Sequence, residues 1–262
     1  MSDESQQPVA REPEWVSRAV AAEPRLPLMG PMMAYLVLML FAGMAPEVTP
    51  WNQIAIALHM AAAAWATWLM RHHWPRLGKA DLWVAIPVGI FAAWMWVAGQ
   101  HWLEGIAFGD STLGGALGFS GSPPFVEFSP VEMKDVAATY QGAGFWAHVV
   151  MKISRAVLIV PIVEELFWRG FLLRAFINWD RFDEVPLGKF TWFSFLGTSL
   201  LSVIQHPGNW GVSILCWMLF NAVFFWRKSL MCLFVTHGVT NLVLYAYVVW
   251  ASIKGTNEWQ FW

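Results

Sequence analysis

The sequence predicts an all-α, polytopic membrane helix bundle of seven transmembrane helices, with an eighth if the long third connection also crosses. Three observations carry that reading. Of 262 residues, 57% are apolar and only 13% charged, with 19 Trp and 19 Phe, whereas a soluble domain normally carries about 25% charged residues. Apolar windows long enough to cross a bilayer, about 17–25 residues, recur along the chain. The Lys and Arg residues fall in alternate connections, eleven on one side against four on the other, and positive charge is retained in the cytoplasm.

Taken in order, residues 1–26 mix acids and bases without an early apolar stretch. They are expected to form a cytoplasmic tail with no cleavable signal peptide, so that the first span is its own insertion signal. Spans are expected at 28–45, 51–70, 82–100, 155–174, 190–206, 211–226 and 230–250. Arg11, Arg18 and Arg25 precede the first span, and Arg71, Arg76 and Lys79 follow the second. Arg174, Arg181 and Lys189 follow the fourth, and Arg227 and Lys228 the sixth. The opposite segments hold only Lys134, Lys152, Arg155 and Lys254, which puts the N-terminus inside, the C-terminus outside and the number of crossings odd. The third connection, 101–144, is rich in Gly, Ser and Pro. Within it Ser129-Pro130-Val131-Glu132 reads as a helix start, with Ser as cap, Pro at the first position and Glu three residues on from the Ser. Beyond it, His148, Lys152 and Arg155 recur at i, i+4 and i+7. Such a stripe marks a positioning helix at the membrane surface with snorkelling cations, or one that gates substrate access. Residues 27–252 are the expected transmembrane domain and 253–262 a short C-terminal tail.

Polar groups inside the spans come in three sets. A charged side chain at mid-bilayer costs ~2.5–3.5 kcal/mol on insertion scales, so an ionisable residue at that depth marks function. Glu164 and Glu165 sit together within an apolar run. Glu165 and Arg169 are i,i+4 neighbours with the acid first, the favourable order for an ion pair. Glu164 points about 100° away and is left for another partner. His206 ends the fifth span just before Pro207-Gly208, with Ser194, Thr198 and Ser202 at four-residue spacing behind it; that spacing lets helices pack closely and hydrogen-bond. In the last span His237 and Asn241 lie one turn apart, with Tyr245 a turn further. At ~1.5 Å per residue, Glu164 lies ~15 Å and His237 ~14 Å from the cytoplasmic boundary, while His206 counts to ~25 Å, nearer the far face.

Glu164-Glu165-x-x-x-Arg169, then His206, then His237-x-x-x-Asn241 together resemble the CAAX protease and bacteriocin-processing family of intramembrane glutamic endopeptidases, over residues 146–250 and in the family's order. Residues 1–140 share only a multi-helix character with it. One position departs: the family often has Phe four residues before the first His, where this chain has Ser202. The resemblance implies an endopeptidase acting on a peptide or membrane protein. Glu164 and His206 would hold and activate a water, His237 and Asn241 would stabilise the oxyanion, and Glu165 and Arg169 would support them, with no cofactor required. In a bacterium its place would be the plasma (inner) membrane. A peptide, membrane anchor or sorting signal would then be the expected target, in preference to a prenylated CAAX protein. The chemistry agrees: peptide hydrolysis needs a base and donors aimed at developing charge, each worth ~3–4 kcal/mol of barrier in a dry site.

Two other readings stay open. Glu164, His206 and His237 would supply a His₂Glu zinc set, although His-Glu-x-x-His is absent from the chain. A non-catalytic chaperone, scaffold or transporter also keeps intramembrane carboxylates and histidines, although no repeated half of the kind found in transporters is evident. A net charge of −2 without a basic patch argues against nucleic acid. The expected partners are membrane lipid and the substrate, with the oligomeric state left open. Cys216 and Cys232 read as small buried hydrophobes, and Asn221 as a bond to a neighbouring helix. His59, His72, His73 and His101 read as unconnected with the site, and Trp near span ends as interfacial anchors.

Overall fold

The structure, a computed structural model, describes residues 12–44, 49–109, 111–112, 133–256, 258 and 261. The helices run α1 (Glu14–Ala22), α2 (Leu26–Gly43), α3 (Pro50–Leu69), α4 (Leu82–Gly105) and α5 (Met133–Thr139). Then come α6, a continuous helical run over 143–175, α7 (Trp192–Leu201), α8 (Trp210–Arg227) and α9 (Leu230–Ile253). A two-residue antiparallel ribbon, Ala107–Phe108 against Ser111–Thr112, follows α4. Each expected span contains helix. Among the described residues, four segments are long and apolar enough to cross a membrane: Leu26–Gly43, Leu82–Gly105, Pro207–Arg227 and Leu230–Ile253. The chain is thus an all-helical membrane bundle with four candidate crossings against seven expected. The helix start at 129–132 lies outside the described residues.

Local chemistry sets the helix ends. Thr49 accepts a hydrogen bond from Asn52 N at 3.3 Å, with Pro50 opening α3; Thr191 does the same for Ser194 N at 3.1 Å. At the tight α8–α9 corner Lys228 takes a left-handed φ of 52°. Ser229 then caps α9, accepting from Cys232 N at 3.1 Å. Each cap satisfies an N–H that the first turn of a helix leaves without a partner.

α9 packs along α4, α2 along α3, and α8 against both α4 and α7. The α4–α9 contact depends on Gly89, where a Cβ would stand 2.7 Å from Thr236 O and from Val239 Cβ. Small residues at such seams let helix backbones approach, and in lipid close packing replaces the hydrophobic drive between helices. The surface is the reverse of a soluble protein's. Leu40, Phe41, Trp51, Trp83, Trp94 and Phe193 are exposed, while Glu164, Glu165, Arg169, Asn221 and His237 are buried.

Candidate active site

The site is built on α6, whose regular α-helical turns are interrupted by π-helical segments at Arg155–Ile159 and Leu166–Leu172, on either side of Val160–Glu165. Wide turns of this kind recur at functional sites. Pro161 brings no N–H to the turn before it. The carbonyl of Ala156, five residues earlier, instead accepts Asn241 Nδ2 from α9 at 2.7 Å. Gly238 permits that approach, since a Cβ there would lie 3.1 Å from Val157 O.

Behind the site runs a fully buried ionic network. Arg169 Nη1 donates to Glu165 Oε1 at 3.0 Å, the i,i+4 pair that the spacing predicts. Arg169 Nε donates to Asn221 Oδ1 at 3.0 Å, and Asn221 Nδ2 donates in turn to Thr198 Oγ1 at 3.0 Å and Ser199 Oγ at 3.1 Å. Asn221 thereby links α8 to both α6 and α7, as expected of a bond between helices. His237 Nδ1 stands 2.9 Å from the same Glu165 Oε1. A carboxylate only accepts, so the proton lies on Nδ1. The other ring nitrogen, Nε2, faces Glu164 Oε2 at 4.0 Å.

Glu164 does find another partner: Gln205 Nε2 donates to its Oε1 at 3.2 Å, and Trp168 Nε1 donates to Gln205 Oε1 at 2.6 Å. The remaining oxygen, Oε2, is buried without a hydrogen bond. His206 lies beyond α7 and its short 3₁₀ turn, in a loop conformation of φ −128° and ψ 58°. Counting it along a straight helix therefore overstates its distance from Glu164. Its ring stands edge-on to Trp96, centroids 5.1 Å apart, and tilted to Trp217 at 5.3 Å.

All four residues expected to do chemistry, Glu164, His206, His237 and Asn241, line one cavity of about 250 Å³. Glu165 and Arg169 stand behind it. The walls add Trp96 from α4, Cys216, Trp217 and Phe220 from α8, Tyr245 from α9, and Phe261. Phe261 is brought back by Glu258, which accepts Tyr247 Oη–H at 3.0 Å and lies 3.1 Å from His101 Nε2. Ser202, where the resemblance departs, is buried; its hydroxyl donates to Ser199 O and accepts from Ser213 Oγ, both at 2.7 Å, tying α7 to α8. Cys216 and Cys232 are buried and free. Among the described residues no three His, Cys, Asp or Glu side chains are grouped as a metal site would group them.

Gln205 is the main residue that the sequence did not single out. Its one signal is an amide inside an apolar span, next to a histidine already under suspicion. His148, part of the polar stripe on α6, is buried and stacked on Tyr140, with ring centroids 5.2 Å apart.

Apolar helices facing outward around a polar cavity define an integral membrane protein. Residues 146–243 match the family model described as type II CAAX prenyl endopeptidase Rce1-like. The matched segment includes Glu164, Glu165, Arg169, Gln205, His206, His237 and Asn241. No curated protein and no solved structure matches the chain.

Proposed function

We propose that the chain is a glutamate-dependent intramembrane endopeptidase that hydrolyses a peptide bond of a protein or peptide held at the membrane. The observation that carries this is the single cavity of about 250 Å³ shared by Glu164, His206, His237 and Asn241. Glu164 Oε2 and His206 hold a water. Its oxygen bonds to the scissile carbonyl carbon, its proton passes to Glu164, and the carbonyl electron pair moves to oxygen. His237 Nε2–H and the Asn241 N–H not given to Ala156 donate to that oxyanion. When the C–N bond breaks, the proton on Glu164 goes to the leaving nitrogen. The scheme needs no metal.

For Nε2 to donate while Nδ1 is bonded to Glu165, the His237 ring is doubly protonated, with Glu165 as its counter-ion. Arg169, Glu165, His237 and Glu164 then sum to no net charge, which limits the burden of placing four ionisable groups away from water. Residues 146–250 form the catalytic core within a membrane domain over 27–252. The N-terminus is cytoplasmic, by the Lys and Arg asymmetry, and the plasma membrane is the setting. A substrate segment must be unwound where it meets the cavity, because a helical peptide keeps its carbonyls bonded within itself.

Glu164→Gln tests the proposal. The amide keeps the shape and its bond to the Gln205 region but cannot take a proton. Loss of a general base lowers turnover by about 10²–10⁴-fold, with folded abundance unchanged. Comparing N- and C-terminal peptides between membrane proteomes of wild-type and Glu164→Gln cells reads this directly. Identical termini in the two would sink the protease reading and favour a scaffold.

A further inference from the structure

We infer that Gln205 is a positioning residue that fixes which oxygen of Glu164 does the chemistry: Oε1 is held and Oε2 is left to meet the water. The inference rests on the reading of Glu164 as the base. It starts from a directional constraint. An indole N–H can only donate, so the side of the Gln205 carboxamide that faces Trp168, at 2.6 Å, is the oxygen. The NH₂ end is then the end that faces Glu164 Oε1, at 3.2 Å. Trp168, 4% exposed and packed in the core, thus sets the orientation of an amide that would otherwise turn freely.

The consequence is an asymmetric carboxylate. Oε1 accepts the amide N–H and is tied to the loop that also carries His206. Oε2 is buried, has no hydrogen-bond partner and faces His237 Nε2 at 4.0 Å. A buried polar atom without a partner in a cavity lined by polar groups is where a water is held. Trp168 is also one residue from Arg169. The π-helical segment Leu166–Leu172 therefore presents both the residue that orders Gln205 and the one that holds Glu165.

The test uses the full chain in lipid nanodiscs, in two arms. Isotope-edited infrared spectra of ¹³C-Glu protein, wild type minus Glu164→Gln, isolate the Glu164 bands. Gln205→Met, close in size and without donors, is expected to shift them. Trp168→Phe is expected to produce part of that shift in the wild-type background and none once Gln205 is Met. Cleavage of a terminus lost in Glu164→Gln membranes is expected to fall about 10- to 100-fold in kcat, the worth of one hydrogen bond to a charged group, with KM nearly unchanged. Bands that do not move in Gln205→Met, or independent additive effects of the two substitutions, would overturn the inference. If the bands shift as expected but Glu164→Gln membranes have lost no terminus, the reading of Glu164 as base fails while the assignment of its oxygens stands.

Discussion

Arg169 is buried, and a guanidinium taken out of water needs its charge met and most of its donors bonded; among the described residues only Nη2 of this side chain finds no hydrogen-bond partner. It holds Glu165 with Nη1 and Asn221 with Nε, two directions that a fork of donors spans and a single ammonium does not. Arg169→Ala would leave the buried Glu165 carboxylate to His237 alone and strand the Asn221 carbonyl. Removing one partner of a buried ion pair typically costs about 3–5 kcal/mol, so the variant is expected to accumulate poorly and to unfold at a markedly lower temperature in detergent. The Glu165–Arg169 pair was legible in the sequence because both residues stand on one helix at a spacing that brings side chains together. The partners that complete the site were not. Asn221 is 52 residues from Arg169, and Gln205 is 41 from Glu164; no local periodicity records a contact between different helices. His206 was legible as a residue through the order of motifs, but not in depth, because its loop conformation follows from the 3₁₀ turn ahead of it.

Helices as units were the easiest feature to foresee, since hydropathy sums over twenty residues and tolerates errors in any one. Their interruptions were harder. The π-helical turns of α6 leave no sign in the hydropathy, and the one backbone mark near them is Pro161. α3 is long enough to cross but dilutes its hydrophobicity with Asn52, Gln53, His59 and Thr67, and α7 is short, with its 3₁₀ turn reaching only from Trp192 to Ile204. The seams between helices make a sharper prediction. Gly89→Val would drive a branched side chain into Thr236 O and Val239 on α9; overpacking of this kind typically costs about 1–3 kcal/mol. Gly105→Val, at a position with nothing within 4 Å of an added Cβ, is the control. Thermal midpoints in detergent are expected to drop for the first and to stay near wild type for the second.

Across the whole bundle, polar groups gather inward and apolar ones outward, so the orientation in the bilayer is set by the few cations left at the ends. The seven crossings expected from the hydropathy windows would put the two termini on opposite faces. An impermeant maleimide applied to intact cells is therefore expected to label Lys254→Cys and to spare Arg18→Cys, both at exposed positions, while Cys216 and Cys232 stay silent in the interior. Labelling of both or neither would require an even count. The last described residue has a practical bearing on all such experiments. Phe261 forms part of the same wall as Trp96 and His206, and its neighbour Glu258 is anchored to two helices. A reporter or affinity tag joined close behind Phe261 is thus attached to the wall of the chamber itself.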